Sequence, residues 1–216
     1  MKPLSTLLTA AALALTTATA AHAAPVVFSV APFEGSTANP DDGVRQVFGG
    51  REISLPSFDF SQDRFVFDNA GFLLGGSLAF FSGPAAGLPG SGFNVIVVQD
   101  TDNDGNPATP FNAGSAANLI ADALDTDGAG LFVYHNSTLG VNRLVYASNL
   151  NSRNGDLAIL ARITSPTGVD AIAELPAFGA GNFAIQGVPE PGTWALMAAG
   201  LFGIAAARRR RRATTG

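Results

Sequence analysis

Fifteen consecutive uncharged residues, Thr193 to Ala207, run straight into five arginines, Arg208 to Arg212. No other feature constrains the fold of this chain more. A run of Trp, Leu, Met, Phe, Ile and Ala has no polar face to turn to water, and five adjacent cations make a poor end for a buried core helix. As a helix capped by Thr193, the run would be a rod of roughly 22 Å, short of the ~30 Å hydrocarbon core of a bilayer. It can still span if the arginines snorkel, the bilayer thins and Trp194 sits at the opposite interface, with Arg208, Arg209, Arg210, Arg211 and Arg212 as a cytoplasmic stop. The segment is therefore expected to be a transmembrane helix and not part of the folded domain. Just before it, Pro189 and Pro191 fix φ and lack backbone donors, so Val188-Pro-Glu-Pro-Gly192 reads as an extended or turning link.

The other end is also set apart. Met1-Lys2, the apolar run Leu4 to Thr17 and the Ala21-His22-Ala23 sequence read as a secretory signal peptide cut after Ala23. No cysteine follows for lipid attachment, and no arginine pair precedes the apolar run. The general secretion machinery is the expected route.

Val188, Pro189, Glu190, Pro191 and Trp194, the apolar run and the arginine cluster together resemble the PEP-CTERM sorting signal of Gram-negative bacteria. Gly192 stands where serine is common in that family. The resemblance covers roughly the last 25 residues. It implies recognition by a membrane-embedded exosortase that cuts near Pro-Glu-Pro, an inner-membrane intermediate, and release to the cell surface or extracellular matrix, often alongside exopolysaccharide. It says nothing about the domain upstream.

The expected division is then a signal peptide (1–23), a passenger domain (24–176), a linker (177–187) and the sorting signal (188–212). Between Ala24 and Gly187 stand sixteen carboxylates and six arginines, a net charge of −10, with no lysine and no cysteine. Phosphates would be repelled, so neither nucleic acid nor anionic lipid is expected as a ligand. No disulfide staples the domain, and its stability must come from hydrophobic burial.

Short apolar runs bounded by Gly, Pro and Asn dominate this stretch. Strands are expected near Val26–Val30, Arg51–Ser54, Arg64–Phe67, Ser77–Ser82, Phe93–Gln99, Gly130–Tyr134, Arg143–Ala147 and Leu157–Ile163, with hairpin turns at Asn136–Asn142 and Asn151–Asp156. The stretch Ala116–Leu124 reads as a helix with Leu119, Ile120 and Leu124 on one face, and Val169–Leu175 as a shorter one. The expected fold is mainly β: an antiparallel β-sandwich or α+β domain with one crossover helix, followed by the transmembrane helix. Phe58, Phe60, Phe65 and Phe67 alternate as a core face would.

Four features could carry chemistry. Asp100-Thr-Asp102-Asn-Asp104-Gly105 places oxygen ligands at alternate positions before a glycine, as in the first half of a Ca2+ loop. Phe111 stands where an EF-hand needs its closing carboxylate, so Ca2+ would require another ligand, and Asp125-Thr-Asp127 lies beyond the helix. The rival reading is an acidic turn. His135 ends an apolar run, and without a G-x-S-x-G elbow it reads as a capped strand-end histidine. Asn136-Ser137-Thr138 fits a glycosylation sequon but reads as a hairpin turn in a bacterial protein. Asp59, Asp63 and Asp68 are the carboxylates a glycoside hydrolase could pair. The functional expectation is a non-enzymatic structural or adhesive surface protein, associated with matrix or exopolysaccharide. The alternative is a secreted carbohydrate-active hydrolase.

Overall fold

The computed structural model describes residues 25–36, 43–102, 106 and 108–186. In chain order the elements are β1 (Val26–Phe28), β2 (Val47–Phe48), β3 (Ile53–Leu55), β4 (Phe65–Asp68), α1 (Asn69–Phe72), β5 (Phe80–Gly83), β6 (Val95–Val98), α2 (Ala113–Ala123), β7 (Gly130–Asn136), β8 (Val141–Ala147), β9 (Leu157–Ile163), α3 (Val169–Glu174) and β10 (Phe183–Gln186), with three single 3-10 turns between them. The strands make a three-stranded sheet, β1-β4-β10, and a seven-stranded sheet, β2-β9-β8-β7-β6-β5, in which β3 also pairs with β9.

The chain is mainly β, as expected, but the sheets are not antiparallel throughout. Only β7-β8-β9 form an antiparallel meander. The small sheet is parallel throughout, as are the β5-β6-β7 pairings and the edge on which β2 and β3 follow one another along β9. The reason is visible in β6, Val95-Ile-Val-Val98, where all four residues are buried. A strand covered on both faces needs no polar alternation, and its partner can run parallel if a crossover returns the chain. The helix α2 is that crossover, lying between parallel β6 and β7.

Side-chain alternation sends the central strands into two cores. Val95, Val97, Leu131, Val133, Leu144 and Tyr146 face the small sheet, where they meet Phe28, Phe58, Phe65, Phe67, Phe72, Phe178 and Phe183. Ile96, Val98, Phe132, Tyr134, Val145 and Ala147 face Ala113, Ala116, Ala117 and Ile120 of α2. Three layers result: small sheet, large sheet and helix. Along β9 the alternation breaks, because Leu144 pairs with Ala161 while Val145 pairs with Ile159. The extra residue, Leu160, is the bulge that keeps both Leu160 and Ala161 on the aromatic side.

Local signals explain the helix. Asn112 caps α2 by accepting from Gly114 and Ser115 amides, and Ser115 Oγ returns the bond by accepting from the Asn112 amide. This capping box satisfies orphan donors of the first turn. The segment 177–187, expected as a linker, needs correcting. Phe178, Asn182 and Phe183 are buried, and β10 pairs in parallel register with β4 from Phe183↔Phe65 to Gln186↔Asp68. Asn182 Nδ2 donates to the carbonyls of Phe60 and Asp63 at 2.9 and 3.0 Å, tying the start of β10 to the loop before β4. The domain therefore extends to Gln186. The expected transmembrane helix lies outside the described residues, and no helix among the described residues is long and apolar enough to cross a membrane.

Candidate functional site

In open sheets, ligands favour the carboxyl ends of parallel strands. Here that edge follows β5 and β6, and it carries the acidic stretch singled out above. Asp100 Oδ2 accepts from the Ala85 amide at 2.6 Å, fastening the loop after β6 to the turn after β5. Asp102 Oδ2 accepts from Ser137 Oγ at 3.0 Å, and Ser137 Oγ accepts in turn from the Phe111 amide at 2.9 Å. Both aspartates thus hold neighbouring loops through protein donors. Asp104 lies outside the described residues. Among the described residues no three His, Cys, Asp or Glu side chains gather where they could hold a metal ion.

The second acidic stretch cannot join the first. It follows α2, whose eleven residues span ~16 Å, while Asp102 sits beside the residues that precede that helix. Asp125 donates its amide to the Gly90 carbonyl at 2.6 Å, and Asp127 Oδ1 accepts from Asn149 Nδ2 at 2.9 Å. Along the flank of α2 runs a cleft of about 500 Å3 whose lining includes Asp102, Ser115, Asn118, Asp122 and Arg153. Arg153 Nε donates to Asp122 Oδ1 at 2.8 Å, so these two charges pair with each other.

His135 lies inside β7, 4% exposed, with its Nδ1 3.2 Å from Asn142 Oδ1. Its neighbour Tyr134 faces the helix layer, so the imidazole points to the opposite face of the sheet. Ser137 and Asp102 bond to each other on the loop side, and the three do not form a triad. Burial holds the imidazole below its ordinary value, while the Asn142 bond opposes that shift. Asn136 forms the expected hairpin turn: its carbonyl accepts from Gly140 at 2.8 Å and its Oδ1 from Leu139 at 2.9 Å.

The carboxylates proposed for hydrolysis also act as turn formers. Asp59 Oδ1 accepts from the Ser61 hydroxyl and amide at 2.7 and 2.9 Å, and Asp63 Oδ2 accepts from the Asp59 amide at 2.8 Å. The Ser61 bonds hold the Asp59 carboxyl below the usual range, opposite to what a general acid needs. Asp68 caps α1. A raised carboxyl occurs elsewhere: partial burial, then Asp170, push Glu174 up. Both residues lie on one turn of the six-residue α3.

Two polar groups carried no local signal in the sequence. Arg45 donates to the carbonyls of Gly155, Gly114 and Ser152 and to Asn118 Oδ1, at 2.7 to 3.1 Å, latching α2 to the β8–β9 hairpin. Burial, then repulsion from Arg153, lower its pKa. Glu52 Oε1 accepts from Arg143 at 2.8 and 2.9 Å, joining the start of β3 to β8. Their partners lie 69 to 110 positions away, beyond any motif window.

Ala21 and Ala23 of the signal cleavage site, Val188, Pro189, Glu190, Pro191 and Trp194 of the sorting motif, and Arg208 to Arg212 all lie outside the described residues. No curated protein and no solved structure matches the chain. Residues 187–212 match the PEP-CTERM protein-sorting motif, directly after β10 ends at Gln186. That signal implies export, processing by an exosortase and sorting to the cell surface through a membrane-associated intermediate. The segment that identifies this chain is thus its C-terminal address, a PEP-CTERM sorting signal that begins where the folded domain ends.

Proposed function

We propose that this is a non-enzymatic structural or adhesive protein of the cell surface, held in the extracellular matrix with exopolysaccharide. One observation carries the reading: the sorting signal directly follows a three-layer domain whose strand β10 is paired in the small sheet. What reaches the surface is then a folded, cysteine-free body of high acidic charge. Two supports come from the sites. Asp59, Asp63 and Asp68 serve turns and a helix cap, and Asp100 and Asp102 brace loops. Such a body suits a spacer or adhesive element whose contacts are spread over its surface.

The test compares the parent strain with one lacking residues 188–216. Loss of the protein from the surface, together with a matrix that sheds exopolysaccharide on washing, is the expected result. A matrix of unchanged cohesion argues against the structural role. Release of new reducing ends when purified domain is incubated with the strain's own exopolysaccharide would establish the hydrolase instead.

A further inference from the structure

The three strands of the small sheet run parallel, so β1, β4 and β10 all finish at one end of the molecule. Gln186 pairs with Asp68 there, and the segments following β1 and β4 pack side by side: Gly71 leaves room for the Ala31 backbone, which would lie 3.3 Å from a Cβ at that position. This end carries exposed apolar groups. Leu73 is 73% exposed and Val30 is 38% exposed. Leu73 is also the one non-glycine residue among those described with a positive φ, 52°, where it closes α1 through a bond from its amide to the Asn69 carbonyl. Glycine takes that conformation without steric cost and exposes nothing apolar. A leucine there is hard to account for by folding alone.

The chain leaves the domain at this same end. From Gln186 to Thr193, where the uncharged run begins, only residues 187–192 intervene, and six residues reach ~20 Å when fully extended. Pro189 is three residues from Gln186, within ~10 Å of the domain surface. We propose that the end bearing Val30, Leu73 and Gln186 rests on the lipid surface while the chain is held by its C-terminal signal, with Leu73 and Val30 in the interface. The inference rests on the membrane-associated intermediate that the signal implies.

The tether and the apolar contact must carry this placement, because a domain of net charge −10 is repelled by an anionic leaflet. Among the described residues near this end, Asp68 Oδ1 accepts from Ala70, Glu34 pairs with Arg51 at 3.7 Å, and Asp127 accepts from Asn149. Asp59 and Asp63 lie before β4, at the opposite end of the sheet. One consequence of this placement is that the exosortase meets its motif between bilayer and domain, with little slack on either side.

The absence of native cysteine permits a direct test. Leu73→Cys, Val30→Cys and, at the far end, Gln62→Cys would each carry a polarity-sensitive fluorophore on the chain with its C-terminal signal intact. Vesicles of phosphatidylethanolamine and phosphatidylglycerol supply the membrane, and flotation selects inserted protein. Acrylamide, a neutral quencher, avoids bias from the domain's charge. Blue-shifted emission and several-fold weaker quenching at positions 73 and 30 than at 62 are expected, and the difference should vanish once the tail is removed. Equal quenching at all three positions in floated protein would overturn the orientation. Failure to float would remove the tethered intermediate itself, and the orientation with it.

Discussion

The two faces of the large sheet solve one packing problem with opposite means. Toward the small sheet the gap is filled by phenyl rings: Phe65 stacks on Phe58 with ring centroids 4.7 Å apart, Phe28 stacks on Phe67 at 5.2 Å, and Phe72 meets Tyr146 edge-on at 5.4 Å. Toward α2 the buried positions of the helix are Ala113, Ala116, Ala117, Ile120 and Ala121, four of them alanine. Two sheets stack ~10 Å apart, and large flat side chains from both are needed to close that distance. The alanines on α2 do the converse and let its backbone approach the sheet closely. Interlocked rings fix the first interface. At the second, the large side chains, such as Phe132 and Tyr134, come from the sheet, the helix contributes mostly alanine, and polar latches, Arg45 chief among them, add to the hold.

The strongest way to break this asymmetry is on the aromatic face. Phe65 is fully buried and its ring also lies 6.2 Å from Phe28 and 5.8 Å from Phe183. Phe65→Ala should cost ~3–5 kcal/mol, lost hydrophobic transfer plus a cavity. Because Phe183 starts β10, the strand next to the sorting signal should exchange its amides faster. Denaturant unfolding and hydrogen exchange of the exported domain check both, and a loss below ~1 kcal/mol would show that the rings repack freely.

Next comes the latch. Arg45→Ala removes the guanidinium bonds to the carbonyls of Gly114, Gly155 and Ser152 and should cost ~2–3 kcal/mol, in the range for hydrogen bonds to a charged group. The signature should be local: exchange protection falls in α2 and the β8–β9 hairpin and is retained in β4. Uniform loss across both faces would mean that the latch serves the whole fold.

A smaller effect tests the closeness of the helix. Ala116 is fully buried in the helix-side core. Ala116→Leu adds volume where the layers are closest and should destabilise by ~1–2 kcal/mol. Combined with Phe65→Ala, the costs should add to within ~0.5 kcal/mol, because a packed sheet separates the two sites. A larger departure would show that strain crosses the sheet.

How far the sequence reveals this organisation depends on the range of each signal. The capping box at Asn112–Ser115 and the apolar runs of β6 to β9 are local, and so is the tail. The apolar run Val95–Val98 shows burial on both faces but not strand direction, since β7, β8 and β9 are nearly as buried and pair antiparallel with one another. What stays hidden is pairing at long range. Phe183–Gln186 meets Phe65–Asp68 across more than a hundred residues, and three glycines in 177–187 make that stretch look like a tether. Val47–Phe48 is too short to show any period. Of the candidate site, Asp100, Asp102 and His135 stand out by residue type, but their partners Ala85, Ser137 and Asn142 are set by topology alone.

The smallest expected effect is a pH dependence confined to the aromatic side. His135 points away from the helix layer, toward a polar margin where Asn142 Nδ2 donates to the Ala171 carbonyl of α3 at 2.6 Å. Burial depresses its pKa below the ordinary 6.5, so between the two values the unfolded chain binds more protons than the folded one. Stability must then rise with pH through that window, being complete above 6.5 and lost as pH falls through the folded value. Glu174 acts with the opposite sign, since its carboxyl is pushed up and the folded state favours its proton. Subtracting the curve of His135→Gln from that of the parent isolates the imidazole, because the amide keeps a polar group opposite Asn142 but does not titrate. The difference should favour the parent more at pH 7.5 than at pH 5, with the loss of exchange protection at low pH centred on β7, β8 and α3. Parallel curves would mean that the imidazole reaches water in the folded state, and that the margin of the aromatic face is more open than its packing implies.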